Sequence, residues 1–418
     1  MAEKDKRCQI RMWWSNAPCG RELYDGEHCF FHSRKLDKDA KLFQKKLDEI
    51  FKDTSVWNYD FSKFIFPEGI IFPRKIDKSI FFWYAVFQGT AEFSVHTFQG
   101  RALFGGTTFE KEAWFNETSF EGEAAFWSAT FKSDSSFQIA SFRKVANLSV
   151  GIFEEGASFS GATFGDALLI EEGYKENKQF SKKEVDFSYV KFSKPEKVSF
   201  KKVDLSRCRF LGTDLRKVEF LDVDWNRKRG RNRIYDEIEA EPETNKFDYP
   251  LIAQVYKRLR ANYEENLNYA EAGDFHIGEM EMRRKGEKNP FNKGIIQLYK
   301  LLSNYGESYW RPLLFWILPI LLLFPILFMY SGIEPVAQSQ NSYLINYEFD
   351  ASSISLNKEK VADYLKSFVY SLSVFSLVRE KQYRPMNNLG HLWMVLESIM
   401  SPLLIAFFLL ALRRRFRR

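Results

Sequence analysis

The chain has 418 residues, of which 45% are hydrophobic, and a formal net charge of +6. This length allows several domains, and the modest charge does not by itself indicate a polyanionic partner. Three of the four cysteines lie close together beside a histidine, which argues against a secreted, disulfide-framed protein. The N-terminus lacks the apolar core of a signal peptide, so we expect residues 1–310 in the cytosol.

The first candidate module, residues 1–35, contains four residues of metal-ligand type. They are Cys8, Cys19, Cys29 and His32, with the spacing C-x10-C-x9-C-x2-H. Three thiolates and an imidazole suit tetrahedral zinc, and a closed set of four is structural rather than catalytic. The segment is similar to small Cys/His modules that precede repeat domains in bacterial proteins. We predict a structural zinc ion; the alternative is four unrelated residues in a flexible tail, with His28 as a poorer substitute for His32.

A short helix is predicted next, within residues 36–56. Leu36, Phe43, Leu47 and Ile50 lie on one face when the segment is drawn as a helix. This apolar face needs a neighbouring domain to cover it.

From residue 82 onward, large apolar residues recur in steps that alternate between five and six. The recurring residues are Phe82, Phe87, Phe93, Phe98, Phe104, Phe109, Phe115, Phe120, Phe126, Phe131, Phe137, Phe142, Leu148, Phe153, Phe159, Phe164 and Leu169. The residue two places earlier is nearly always small, and His96 is the clear exception. A period this persistent predicts a solenoid with the rings in its core.

The units AVF, AEF, ALF, AAF and ATF resemble the A-(x)-[LF]-x-x unit of the pentapeptide-repeat family. The resemblance covers residues 57–225, with interruptions near 73–79, 171–184 and 193–197. It implies a right-handed, four-sided parallel β-helix with large side chains stacked along its axis. The extra residue in every second step departs from the plain repeat and leaves the coil length open. Steps of five return from Phe200 to Trp225.

The charge on the predicted β-helix bears on its partners. Between Phe82 and Leu169 there are five Lys/Arg and ten Asp/Glu, but residues 171–233 contain 18 Lys/Arg and 11 Asp/Glu. Some pentapeptide-repeat proteins mimic DNA, which requires a strongly acidic rod. A membrane anchor is not expected in a DNA mimic. We therefore expect a rod for docking, spacing or sensing, with a cytosolic protein partner and no nucleic acid.

Residues 226–310 are expected to connect the rod to a membrane. Residues 226–249 are predicted to be a basic linker, and Asp248 and Pro250 then mark the start of a helix. Two amphipathic helices separated at 266–268 form a hairpin that resembles the tetratricopeptide-like linker of repeat proteins with a membrane pore segment. Phe291–Tyr309 is expected to lie on the cytosolic membrane surface, which completes a region spanning 250–310.

The C-terminal region, 311–418, contains two predicted membrane spans, 312–331 and 392–412. Pro312–Tyr330 has no charged residue, and Glu397 is the only charge in Leu392–Leu412. Helices of this length span roughly 30 Å, the thickness of a hydrocarbon core. The predicted membrane anchor is the basic end of the chain: Arg413, Arg414, Arg415, Arg417 and Arg418. These arginines predict a multi-pass inner (plasma) membrane protein with both termini in the cytosol. Their alternative role is lipid-controlled gating.

The segment between the spans, 361–378, is predicted to be re-entrant. This order resembles the pore domain of two-span ion channels, with outer helix, pore helix and inner helix. The filter position, Ser376–Lys381, has no glycine, so potassium selectivity does not follow, and anion or weak selectivity is expected. The predicted ion path comprises Ser371, Ser373, Ser376, Arg379, Lys381, Glu397 and Ser401. The charges at 379 and 381 are alternatively solvated outside the membrane. Glu397 lies six residues beyond His391 and alternatively reaches only the outer interface.

The sequence therefore predicts a mixed architecture of β-helix, helical linker and two-helix transmembrane domain. Its predicted function is a homo-oligomeric membrane ion channel, tetrameric or pentameric, with a cytosolic sensor or docking domain. The alternatives are a membrane-anchored scaffold without conduction and a pore-forming stress or defence effector. No paired acid and base, nucleophile elbow or phosphate loop is recognisable, so we do not expect an enzyme.

Overall fold

The computed structural model describes residues 7–12, 16–35, 37–172, 183–228, 230–240, 247–336, 343–347, 358–377 and 382–416. The chain forms two compact units, Met1–Gly286 and Glu287–Arg418. Each unit has its own hydrophobic core.

The first unit is built around a parallel β-solenoid of about seven turns, as the phenylalanine period predicts. Four sheets form its sides in the described residues. The eight-stranded sheet contains β1 (Asn58–Asp60), β4 (Ser79–Phe81), β8 (Ala102–Leu103), β12 (Ala124–Ala125), β16 (Ala146–Asn147), β20 (Leu168–Glu171), β23 (Val198–Lys201) and β25 (Glu219–Leu221).

The other three sheets contain six, six and five strands. The first comprises β6 (Ala91–Glu92), β10 (Ala113–Trp114), β14 (Ser135–Ser136), β18 (Ala157–Ser158), β21 (Val185–Asp186) and β24 (Cys208–Arg209). The second comprises β3 (Lys75–Ile76), β7 (Thr97–Phe98), β11 (Ser119–Phe120), β15 (Ser141–Phe142), β19 (Thr163–Phe164) and β22 (Lys191–Phe192). The third comprises β2 (Ile65–Phe66), β5 (Val86–Phe87), β9 (Thr108–Phe109), β13 (Thr130–Phe131) and β17 (Ile152–Phe153).

The strand register gives the coil length that the sequence left open. Phe98 pairs with Phe120, and Phe120 pairs with Phe142, so one coil takes 120 − 98 = 22 residues. Near the C-terminal end Phe200 pairs with Phe220, which is a coil of 20. Steps of five and six therefore give 22-residue coils, and uninterrupted steps of five give a 20-residue coil.

The two step lengths correspond to two kinds of corner. Every five-residue step between Phe82 and Phe164 contains a residue with positive φ, recurring every 11 residues. These residues are Tyr84, Val95, Gly106, Glu117, Ser128, Ile139, Val150 and Gly161. The six-residue steps turn without such a residue, except the step from Phe153 to Phe159, which contains Gly156 at φ 122°. Corners of two kinds therefore alternate around each coil.

Aromatic stacking fills the solenoid, as expected from the alternation of large and small residues. Phe115 stacks on Phe93 with ring centroids 5.2 Å apart and on Phe137 at 4.8 Å, and all three rings are buried. Ala113, two residues before Phe115, is also fully buried. A narrow coil has room for a ring beside a methyl group, so the phenylalanines belong to the core.

A helical hairpin, α3 (Tyr249–Glu265) and α4 (Tyr269–Gly286), covers the last coil of the solenoid. Asn262 donates hydrogen bonds to the carbonyl oxygens of Leu215 and Val218 at 2.7 and 2.8 Å. The indole N–H of Trp225 donates to the hydroxyl of Tyr263 at 2.9 Å. The hairpin thus acts as a terminal cap, which a solenoid needs to protect its open end.

The predicted basic linker, 226–249, is folded in large part. Asn226–Lys228 (β26) and Arg231–Arg233 (β27) form an antiparallel hairpin, followed by helix α2 (Tyr235–Glu239). Arg231 pairs with Glu237 at 2.6 Å, and both side chains are largely buried. A high density of basic residues predicts a solvated linker, but it does not reveal that a carboxylate further along the chain pairs with one of them.

The second unit contains four helices in its described residues. They are α5 (Pro290–Ser303), α6 (Leu318–Ser331, preceded by a π-helical turn at Pro312–Ile317), α7 (Lys358–Phe375) and α8 (Asn388–Phe416). The short strands β28 (Ile333–Pro335) and β29 (Tyr383–Pro385) pair antiparallel. The α7 helix is continuous and packs against both α6 and α8. Its re-entrant character stays a prediction, because the expected return falls on 378–381, outside the described residues.

Candidate metal centre and membrane unit

Backbone pairing brings the four predicted metal ligands together. Cys8 and Cys19 lie on a hairpin in which the Cys8 amide donates to the carbonyl of Arg21 at 2.8 Å. Cys29 and His32 lie in one tight turn, closed by a hydrogen bond from the His32 amide to the Cys29 carbonyl at 3.1 Å. Two local structures therefore supply two ligands each.

The ligand atoms are spaced as a tetrahedral metal requires. All four lie within 4.8 Å of one another. The Sγ atoms of Cys8 and Cys29 lie 3.4 and 3.3 Å from Nδ1 of His32, and those of Cys19 and Cys29 are 3.8 Å apart. Ordinary zinc–sulfur and zinc–nitrogen bonds in a tetrahedron give about 3.8 Å between sulfurs and about 3.5 Å between sulfur and nitrogen. The donor set and its geometry fit zinc.

Neighbouring groups orient the ligands and balance their charge. Nε2 of His32 lies 3.2 Å from the carbonyl oxygen of Ser62, which leaves Nδ1 for the metal. Arg21 donates to Sγ of Cys19 at 3.3 Å. The hydrogen bond between the two sulfurs lowers the pKa of Cys19 to about 3 and raises that of Cys29.

The metal site is joined to the first coil of the solenoid. The ring of Phe31 stacks on Phe64 with centroids 4.6 Å apart, and the amide of Ile65 donates to the carbonyl of Phe31 at 2.8 Å. Lys38 donates to the carbonyl of Ile65 at 2.8 Å, and burial lowers the pKa of its amine to about 8. A metal held by Cys29 and His32 would fix the position of Phe31, so the module can act as the N-terminal cap.

Helix α1 (Ala40–Lys52) completes this end, as its predicted apolar face implies. Phe43 and Leu47 are fully buried, and Phe43 contacts Phe31 and Phe66. His28, the weaker ligand candidate, lies 3.7 Å from Asp25 and belongs to no metal-type cluster in the described residues.

The helices of the second unit have apolar outer surfaces. Pro312–Ser331, with mean hydropathy 2.5, and Asn388–Arg413, with mean hydropathy 2.2, are long and apolar enough to cross a membrane. Large exposed apolar side chains cover the π-helical turn and helices α6, α7 and α8, including Leu314, Phe315, Leu322, Ile326, Leu365, Val369, Leu392, Ile399, Leu403 and Leu410. Water would oppose this distribution, whereas lipid accommodates it.

Polar residues lie inside this unit. Glu397 is fully buried, and Ser371 donates a hydrogen bond to its carboxylate at 2.5 Å. Ser401 is also fully buried. The structure therefore brings Ser371 and Glu397 of the predicted ion path into contact within one chain.

The remaining predicted ion-path and anchor residues are placed differently. Ser373 and Ser376 donate to carbonyls of their own helix at 2.6 Å, and Ser376 is exposed. Arg379 and Lys381 lie outside the described residues. Arg413 is in the last turns of α8 and is exposed. The side chains of Arg414 and Arg415, and the whole of Arg417 and Arg418, also lie outside the described part.

Two buried residues of α7, Ser367 and Tyr370, were not among the predicted site residues. Their exposed fractions are 0% and 2%. Ser367 precedes Ser371 by one helical turn, and this spacing was the available signal in the sequence. The spacing alone does not reveal that a neighbouring helix buries both serines.

Comparison with known proteins identifies one short similarity. A segment of 83 residues is 36% identical to an uncharacterized protein of Methanocaldococcus jannaschii. It covers 20% of this chain and 18% of that protein's length. No family model matches the chain, and no solved structure matches it.

Proposed function

We propose that the chain is a pentapeptide-repeat protein anchored in a membrane, with a zinc-capped solenoid held on the cytosolic side as a docking or sensing arm. The observation that supports this proposal is the polarity of the second unit, whose exterior is apolar and whose interior contains Glu397. A carboxylate within a span costs several kcal/mol if it faces lipid, so it is found facing protein or water.

Membrane extraction with a charge-insertion variant tests the anchor. Leu396, Leu403 and Leu410 are exposed at seven-residue intervals on α8. Replacing all three with lysine places charges in the span, and each charge raises the free energy of membrane insertion by about 3 kcal/mol. The unaltered chain should stay with membranes in alkaline carbonate and dissolve only in detergent, and the triple variant should lose most of this retention.

A matched control uses three exposed leucines of the first unit, Leu42, Leu221 and Leu267. Replacing them with lysine should leave membrane retention unchanged. The anchor proposal fails if carbonate releases the unaltered chain, or if the two triple variants behave alike.

Ion conduction by a homo-oligomer is the second candidate function. The buried contact between Glu397 and Ser371 favours it, because ionisable residues inside membrane segments often mark ion paths. The sequence order, with α7 between the two candidate spans, also resembles that of two-span ion channels. The purified chain should then form tetramers or pentamers in detergent and release ions from liposomes.

Flux measurements separate conduction from scaffolding. Glu397→Gln should change the flux by tenfold or more, while Ser398→Ala, at a half-buried position next to it on the same helix, should not. The proposed positive ring predicts that Arg379→Glu shifts the reversal potential in a chloride gradient. A monomeric chain without flux would leave only the scaffold, and growth arrest on expression would favour a pore-forming effector.

A further inference from the structure

A strip of buried polar residues lies where α7 and α8 pack together. Ser367, Tyr370 and Ser371 belong to α7, and Glu397 and Ser401 belong to α8. None of the five is more than 2% exposed. Ser367 and Ser371 are one helical turn apart on α7, as are Glu397 and Ser401 on α8. The hydrogen bond from Ser371 to Glu397 joins the two helices.

Three hydroxyl groups of this strip have no hydrogen-bond partner in the part of the chain that the structure describes. They belong to Ser367, Tyr370 and Ser401. Other serines of the same helices are satisfied locally: Ser373 donates to the carbonyl of Tyr370 at 2.6 Å, and Ser398 donates to that of Val395 at 2.9 Å. Buried polar atoms without partners are costly, so three of them in one strip that also contains a buried carboxylate indicate a bound species.

The charge and the donor atoms identify that species. A proton would neutralise Glu397 but would leave the three hydroxyl oxygens without a ligand. A divalent cation would leave a net positive charge inside an apolar unit, which is unfavourable. A monovalent cation balances the carboxylate, and hydroxyl and carboxylate oxygens are the hard donors that alkali cations accept.

We propose that Glu397, Ser371, Ser401, Ser367 and Tyr370 form a binding site for a dehydrated monovalent alkali cation, Na⁺ or K⁺. The inference rests on the proposed membrane location of this unit, but it does not require conduction. A bound cation would tie α7 to α8 inside the anchor. It would therefore stabilise the folded unit in proportion to its concentration and affinity.

Thermal unfolding of the full chain in detergent tests the site. The unfolding midpoint is measured in increasing NaCl or KCl, with N-methyl-D-glucamine chloride replacing the salt to hold ionic strength and chloride constant. The midpoint should rise with Na⁺ or K⁺ and remain flat in the organic cation alone. Glu397→Gln, which keeps the shape of the side chain, should abolish the rise.

Two serine variants provide a matched pair on α8. Ser401→Ala should weaken the apparent cation affinity about tenfold, because the cation loses one oxygen ligand. Ser398→Ala should behave as the unaltered chain. If Glu397→Gln does not yield folded protein, this pair still decides the question.

Three results would overturn the proposal. They are a midpoint that responds equally to all three cations, a cation response that survives Glu397→Gln, and a midpoint that depends on pH alone, which would indicate a proton. The outcome is independent of the other tests. A rise of the midpoint with Na⁺ or K⁺ but no ion flux in liposomes would support the cation site and contradict conduction. Release of the chain by carbonate would contradict the membrane anchor itself.

Discussion

At the scale of single residues, the candidate metal centre brings together four ligands, each of which alone would bind a metal weakly. The sequence spacing predicts which four residues belong together, because Cys29 and His32 are three apart and supply two ligands from one turn. It does not predict that Ser62, 30 residues beyond His32, orients the imidazole. That contact depends on docking of the module against the solenoid, which is a tertiary event.

Replacing one ligand should remove the metal. Cys8→Ser leaves three ligands, so we expect the zinc content to fall from about one per chain to a small fraction, with a lower unfolding temperature for the first unit. Zinc is measured by elemental analysis of purified protein. Cys208→Ser is the control, because Cys208 is buried in the solenoid and does not belong to the cluster. This variant should retain the metal. Equal zinc content in both variants would refute the assignment.

A buried carboxylate at the C-terminal end of the solenoid makes stability depend on pH. Asp236 accepts a hydrogen bond from the amide of Phe210 at 3.0 Å, yet burial raises its pKa to about 6. The folded state then binds a proton more tightly than the unfolded chain. The resulting stability is complete below about pH 4 and is lost as the pH rises through about 6.

Asp236→Asn should remove this dependence. An amide keeps an acceptor for the Phe210 amide without a buried charge, so we expect stability at pH 7 to increase by up to about 3 kcal/mol, the equivalent of two pKa units. Chemical unfolding at pH 4.5, 6 and 7.5 measures the effect. A parallel pH dependence in both proteins would show that Asp236 is not responsible.

At the scale of elements, the solenoid distinguishes interior rings from corner residues. Phe115 is fully buried between Phe93 and Phe137, so Phe115→Ala should destabilise the unit by about 3–5 kcal/mol. Ile139 is a β-branched residue at φ 58° and is exposed. Ile139→Gly should cost nothing or stabilise, because glycine adopts this backbone conformation without strain.

Circular dichroism during urea unfolding of the full chain compares the two variants. A large loss of stability in Ile139→Gly, or none in Phe115→Ala, would contradict the division into core and corner positions.

The elements also show what could be predicted from sequence. The rings and their spacing predict the solenoid, since large and small residues must alternate in a narrow coil. The coil length needed the strand register. The pairing of Arg231 with Glu237 was not predictable, because the segment that contains Arg231 is typical of a solvated loop. The buried polar face of α7 was not predictable, because it depends on the packing of α8 against α7.

At the scale of the whole molecule, the two units face different requirements. The first protects both ends of a solenoid, with a metal module and α1 at one end and the α3–α4 hairpin at the other. The second exposes apolar side chains and buries Glu397. A soluble unit would have the opposite distribution, so we expect the second unit to be anchored in a membrane.

Trypsin treatment of sealed inside-out membrane vesicles is the decisive test of membrane anchoring. The solenoid, which is proposed to face the cytosol, should be cut from the vesicle exterior and its peptides released. A fragment containing Pro312–Ser331 and Asn388–Arg413 should stay in the membrane pellet after carbonate washing, where mass spectrometry detects it. Release of peptides from both helices into the supernatant, together with those of the solenoid, would contradict the membrane anchor.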